Sequence, residues 1–191
     1  MLDVTNLEGI QRAVAEIGTL DVLINNAGIA LFDDLNDLDT IEQHLNVNLF
    51  GALRLIRATL PLLKRSKGAI VNNLSLVSLA PLPVVPAYSI SKAAAFSMTQ
   101  SLRALLAGQG VTVHGVLLGP VDTDMTRGFE IPKASPESVA AGIFDGLQNR
   151  DEDIFPDPAS QSIAESWRTG VAKAFERQYA GFVPETAAVF Q

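Results

Sequence analysis

The 191-residue sequence contains no cysteine, which excludes a disulfide framework and any zinc site built on thiolates, and which fits a reducing compartment. Histidine is scarce. His44 falls on a helical pattern and His114 inside a strand pattern, so packing or surface roles are expected of both and no metal site is expected. Positive charge is never concentrated: the densest run is LLKRSK in a chain of net charge -7, and nucleic-acid binding needs a concentrated positive field. No nucleic-acid partner is expected. There is no stretch of about 18 uninterrupted apolar residues and no basic leader followed by an apolar run, so the expectation is a cytoplasmic protein with no membrane partner. No serine stands in a GxSxG elbow, which sets aside a cofactor-free hydrolase of that kind.

What is present is 48% apolar and 18% charged residues, the balance of a well-buried globular chain, at a length that fits a single domain over residues 1–191. Strand and helix signals alternate along it. LDVT reads as a strand end, and Leu7, Ile10, Val14 and Ile17 mark one face of a helix that Asn6 can cap. The run Val22 to Ile24 is a buried strand emptying into Asn25, Asn26, Ala27 and Gly28. A long helical pattern follows from Thr40 to Arg65, with Pro61 a boundary or kink within it, and AIVNNLS is the next strand. The proline-marked stretch SLAPLPVVPAY is a loop leading into a helix from Ser89 to about Ala107, and VTVHGVLL is a further strand. Residues 119–135 form a polar loop, and 136–191 carry a helix from Pro136 to about Asn149, a short strand DIFP and a terminal helix from Ser160 to about Tyr179. Such alternation implies right-handed βαβ crossovers, hence an α/β fold of Rossmann-like type, a mostly parallel sheet covered by helices on both faces.

In such a sheet, ligands sit outside the carboxyl ends of the strands. The residues found there, Asp3 and Thr5, Asn25 to Gly28, Leu74 to Ser78, and Gly119 to Thr126, are mostly small, polar or glycine. Among them the helix start PAYSISK places Tyr88 and Lys92 four residues apart, on one helical face. An ammonium close to a phenol favours phenolate and lowers the tyrosine from its reference near 10, which makes it a usable acid or base near neutrality. The pair alone is a weak signal, since a surface lysine beside a tyrosine is common. Ser75 lies at the end of a strand, and Asn48, an amide inside a helical run, is a poor helix former that needs a reason to be there.

Taken with NNAG at Asn25 to Gly28, the set Asn48, Ser75, Tyr88 and Lys92 resembles the short-chain dehydrogenase/reductase family over Asp3 to about Thr126. The resemblance implies an NAD(P)-dependent oxidoreductase that moves a hydride between a nicotinamide and a small carbonyl or secondary alcohol. It implies that Tyr88 exchanges the proton with the substrate oxygen and that Ser75 polarises that oxygen. Lys92 would lower the tyrosine and hold the nicotinamide ribose, and Asn48 would hold a water linking Lys92 to solvent. The cofactor contacts implied are Asp3 and Val4 at the adenine, Asn25, Ala27 and Gly28 behind the cofactor, Tyr88 and Lys92 at the ribose, and Val121 and Thr123 at the amide and phosphate. Where the family usually has proline before the glycine of the loop after VTVHGVLL, this chain has Leu118 before Gly119.

The family's opening strand and TGxxxGxG turn do not occur among the 191 residues, so the expected fold lacks the first βαβ portion. The glycines of that turn let a backbone approach the pyrophosphate, and the residues that choose between NAD and NADP go with it. VLIN then becomes an open sheet edge. Three readings follow: a sequence starting at an internal methionine of a longer enzyme, a short chain with impaired cofactor binding, or an interaction module completed by another chain and not an enzyme by itself. The long helices carry more apolar and small residues than one buried face requires, and the resemblance implies a homodimer or homotetramer formed through them. Met125, Phe129 and Ile131 in the 119–135 loop suggest an apolar or mixed substrate pocket.

Overall fold

The computed structural model describes residues 2–183. Its sheet has four strands in the order β1 (Val22–Asn25), β2 (Ala69–Asn73), β3 (Thr112–Val116) and β4 (Asp153–Ile154), every neighbouring pair parallel. The connections carry α2 (Leu38–His44) and α3 (Ala52–Ser66), then α4 (Pro86–Leu106), then α5 (Pro136–Gln148); α1 (Leu7–Ala15) precedes the sheet, and α6 (Pro158–Arg168) and α7 (Val171–Tyr179) follow it. This is the expected Rossmann-like α/β architecture.

Strand alternation decides which helix covers which face. Ile70 and Val113, partners in the β2–β3 ladder, bury themselves against Ile56, Leu60 and Leu63 of α3 and Leu102 and Leu106 of α4. Val71 and Val116 point the other way, onto Val139 and Ile143 of α5 and Ile154 of β4. Burying each such side chain contributes roughly 1.5–3 kcal/mol relative to leaving it in water. β1 pairs only with β2 among the described residues, and Val22 and Ile24 are 40% and 42% exposed there. The open edge expected at VLIN is present.

Four local readings are corrected. LDVT is a turn and not a strand end: Asp3 accepts from the Thr5 amide at 2.8 Å and the Thr5 hydroxyl at 2.7 Å, so the backbone is held locally instead of in a ladder. Asn6 does cap α1, accepting from the Gly9 amide. Pro61 is no boundary; α3 runs through it to Ser66 and stops at Lys67, whose φ of 53° is left-handed. Pro61 lies on the exposed side of α3, where the carbonyl left without its amide partner can turn to water. α4 starts at Pro86, earlier than Ser89, because proline suits a first helical position that needs no amide donor, and this brings Tyr88 into the first turn. The terminal helix is two, α6 and α7, divided at Thr169 and Gly170. Residues 184–191 of the predicted C-terminal region lie outside the described residues.

One element had no counterpart in the sequence reading. Between α2 and α3 the chain winds as a π-helix, Leu45–Gly51, with Asn48 buried at its centre. Among the described residues no helix is long and apolar enough to cross a membrane.

Candidate active site

The crevice lies past the carboxyl ends of β1 and β2, and the π-helix carries one wall of it. Wider winding re-aims a side chain relative to its α-helical neighbours, and π segments recur at functional sites for that reason. Here Asn48, 4% exposed, reaches across to the loop that follows β1. Its Oδ1 accepts from the Ile29 amide at 2.8 Å, and its Nδ2 donates to the Ile29 carbonyl at 2.9 Å and to the Ser91 hydroxyl at 2.8 Å. The π-helix ends on Gly51, where an added Cβ would lie 2.6 Å from Val4 Cγ2, so the close packing of Val4 fixes that end.

α4 supplies the opposite wall. Lys92 is buried and donates from Nζ to the Asn73 carbonyl at 2.7 Å, at the end of β2. The same Nζ lies 5.7 Å from the centroid of the Tyr88 ring. Burial with no carboxylate partner holds the Lys92 ammonium well below the ordinary lysine range, at about 8. Tyr88 behaves differently from the expectation. Burial pushes its phenol above the ordinary value, and a hydrogen bond with Ser75 only partly opposes the rise. Loss of water at the phenol therefore decides the direction, against the depression expected from Lys92. Ser75 follows β2 and opens a short 3-10 turn, its hydroxyl 3.4 Å from the Leu118 carbonyl and accepting from the Val77 amide at 3.3 Å.

The two walls meet at Gly28. A Cβ there would stand 3.2 Å from Asn48 Oδ1 and 3.7 Å from Lys92 Nζ, so glycine keeps open the space that both polar groups face. Two buried amide oxygens at the strand ends, Asn25 Oδ1 and Asn73 Oδ1, have no protein partner. A ledge without a Cβ, a buried ammonium with donors to spare and unpaired acceptors fit the ribose and ring of a nicotinamide cofactor. Asn48, Ser75, Tyr88, Lys92 and Gly28 are thus brought together. Asn25 stands at the end of β1, its Nδ2 donating to Asn72 Oδ1 at 2.8 Å, and Ala27 is exposed on the same loop. Val121 bridges to Ala134, and Thr123 is exposed at the head of the loop after β3. Asp3 is exposed, and its turn with Thr5 holds its carboxyl below the usual carboxylate value. None of the hydrogen bonds of Asp3, Val121 or Thr123 reaches the Asn48–Lys92 group.

Several contributors escaped the sequence reading. Ser91 accepts from Asn48 and donates to the Tyr88 carbonyl at 2.7 Å, tying the π-helix to the first turn of α4. Asp33 accepts from the Ala87 amide, and an amide chain runs from Asn25 through Asn72 to Thr99 of α4. His44 is fully buried and turns one edge to Tyr88, the ring centroids 6.5 Å apart. The repeated asparagines at both strand ends were the only legible hint. His114 is a packing residue as expected, its ring nitrogens 2.7 Å from the Asp151 carbonyl and 3.0 Å from the Thr112 hydroxyl.

The chain is 39% identical over 151 residues to an uncharacterised oxidoreductase of Staphylococcus epidermidis, the match covering 75% of this chain and 65% of that protein. It is 38% identical over 129 residues to the NADPH-dependent 1-acyldihydroxyacetone phosphate reductase of Schizosaccharomyces pombe, covering 64% of this chain and 44% of the reductase. It therefore spans less than two thirds of the length of these curated relatives. A solved short-chain dehydrogenase from Burkholderia cenocepacia, in complex with NADP, superposes with a TM-score of 0.82 at 33% identity, over 96% of this chain and 77% of that one. Because the family model described as short chain dehydrogenase matches residues 1–133, the stretch that holds both walls of the crevice, the chain belongs to the short-chain dehydrogenase family.

Proposed function

We propose that this chain carries the catalytic half of an oxidoreductase that interconverts a carbonyl and a secondary alcohol with NAD or NADP. The observation that carries the reading is the convergence of Asn48, Ser75, Tyr88 and Lys92 around the space kept open by Gly28. A bound nicotinamide supplies or accepts the hydride. The residues do the rest. Ser75 and Tyr88 donate hydrogen bonds to the substrate oxygen, and Tyr88 gives or takes its proton. A phenol that burial keeps protonated is suited to donating in the reductive direction. Lys92 holds the ribose hydroxyls, and its charge steadies the phenolate that remains after transfer. Asn25, Ala27, Gly28, Val121 and Thr123 line the cofactor's path, with Asp3 and Val4 toward the adenine, and residues 119–135 form the substrate loop. Two relatives are described with NADP or NADPH, which supports a nicotinamide cofactor without choosing its phosphate.

The test is titration of the chain with NADH and NADPH, followed by nicotinamide fluorescence, beside Tyr88→Phe and Lys92→Ala. Saturable binding weakened by Lys92→Ala, with turnover of a carbonyl panel abolished by Tyr88→Phe, is the expected result. A folded sample that binds neither cofactor at millimolar concentration overturns the reading. The same reading includes a homodimer or homotetramer formed through α3 and α4. Light scattering at micromolar concentration that returns the mass of one chain overturns that part.

A further inference from the structure

The loop after β1 is fastened at every second residue. Ile29 is clamped by Asn48, the Leu31 amide donates to His44 Nε2 at 3.1 Å, and the Asp33 carboxylate accepts from the Ala87 amide at 3.1 Å. Those fasteners belong to the π-helix, α2 and α4, so residues 29–33 are stitched along the wall that contains Tyr88. Phe32 falls between two stitches, is 70% exposed and stacks on Phe129 of the 119–135 loop with centroids 5.7 Å apart.

His44 is the middle stitch, and its chemistry is determined twice. A carbonyl can only accept, so the 2.7 Å contact of Nδ1 with the Thr40 carbonyl puts the proton on Nδ1. A backbone amide can only donate, so the Leu31 contact requires a bare Nε2. Both say that the ring is neutral and of one tautomer. An apolar side chain would fill the same volume but would leave the Leu31 amide unanswered.

We propose that His44 is a positioning residue: as a neutral imidazole protonated on Nδ1, it holds the 29–33 segment against the first turn of α4 and keeps water from the Tyr88 phenol. Of the titratable groups, Tyr88 on α4 faces it and has Lys92 over its ring, and Asp33 on the segment is engaged by the Ala87 amide. On α2, Asp37 is occupied by the Thr40 hydroxyl and the Asp39 amide. The consequence for turnover rests on the role given to Tyr88 above; the positioning does not.

The chain has two tyrosines, so Tyr179→Phe leaves Tyr88 as the only phenol, and its ionisation can be followed by absorbance. In that background, His44→Leu is expected to move the Tyr88 midpoint down toward about 10, the value of a hydrated phenol. It is also expected to speed exchange of the Leu31 amide about tenfold or more by NMR. His44→Gln, whose carbonyl can accept from Leu31, is expected to recover much of both. Unchanged midpoint and exchange in His44→Leu, or equal shifts in the Leu and Gln variants, overturn the proposal. Should circular dichroism show that His44→Leu does not fold, Leu31→Pro deletes the donor and leaves the ring. The same downward shift is expected of it, and no shift overturns the proposal. Loss of turnover with a normal Tyr88 titration counts against the functional reading instead.

Discussion

Two lysines are buried among the described residues, and they are held in opposite ways. Lys173, 2% exposed, sits among Asp153 at 2.7 Å, Glu176 at 2.9 Å and Glu152 at 2.9 Å. Arg103 shares two of these carboxylates, and the Trp167 indole donates to Asp153. The cluster ties α4, β4, α6 and α7 together, its two cations each facing more than one carboxylate. Lys92, 6% exposed, has a single carbonyl for a partner and no carboxylate. Taking a charge out of water is costly unless it is paired, so one end of the molecule uses buried charge to join elements and the other tolerates an unpaired charge. Strongly perturbed groups of the second kind are where chemistry is found.

The sharpest separation between the two ends is in rate. Tyr88→Phe is expected to lower kcat by about 10²–10⁴-fold, the usual worth of a positioned acid–base group, while leaving the urea midpoint nearly unchanged. A comparable loss in Lys173→Met, assayed folded, would break the comparison. Next is stability. Lys173→Met takes a cation from the buried Asp153 and from Glu176 and is expected to cost about 3–5 kcal/mol by urea unfolding, whereas Lys92→Met removes an unpaired charge and is expected to be neutral or stabilising. Equal losses would mean that the Lys92 end is also built on its charge.

The pH dependence follows from the same contrast. Lys92 is depressed to about 8, so between pH 8 and about 10 the unfolded chain holds a proton that the folded chain has released. Stability should therefore rise with pH across that window, by on the order of 2 kcal/mol, and Lys92→Met should abolish the rise. Above about 10 the raised Tyr88 acts in the opposite sense, because the unfolded phenol ionises first, and stability falls. At the Lys173 end, burial pushes the Asp153 carboxyl up, but Arg103 and Lys173 outweigh it and the group lies below its ordinary value. That contribution is present above about pH 4 and is lost as pH falls further, and acid unfolding should be shallower in Lys173→Met. The smallest effect is expected from Glu152→Gln, under about 1 kcal/mol, since that carboxylate is half exposed and the other partners of Lys173 remain.

Much of the site was legible because it is written in local terms. Tyr88 and Lys92 share a helical face at any helix boundary, and Ser75 follows an apolar run that could only be a strand. What was not legible depends on distant groups. The π winding around Asn48 answers to packing partners such as Val4 on Gly51. The direction of the Tyr88 shift was read wrongly because sequence separation reports which charge is near and not how much water remains. His44 offers the sequence only a packing or surface role, and its partner Leu31 lies in a loop that no periodicity connects to α2.

By itself, then, the sequence determined the α/β alternation, the strand ends that form the crevice and the identities of the groups gathered there, because these follow from periodicity and short spacings. Tertiary structure decided which buried charge is matched and which is not, where the proton of His44 resides, and that Tyr88 is raised and not lowered. Those are properties of solvent exclusion and of contacts between remote segments, and both exist only once the helices have closed over the sheet.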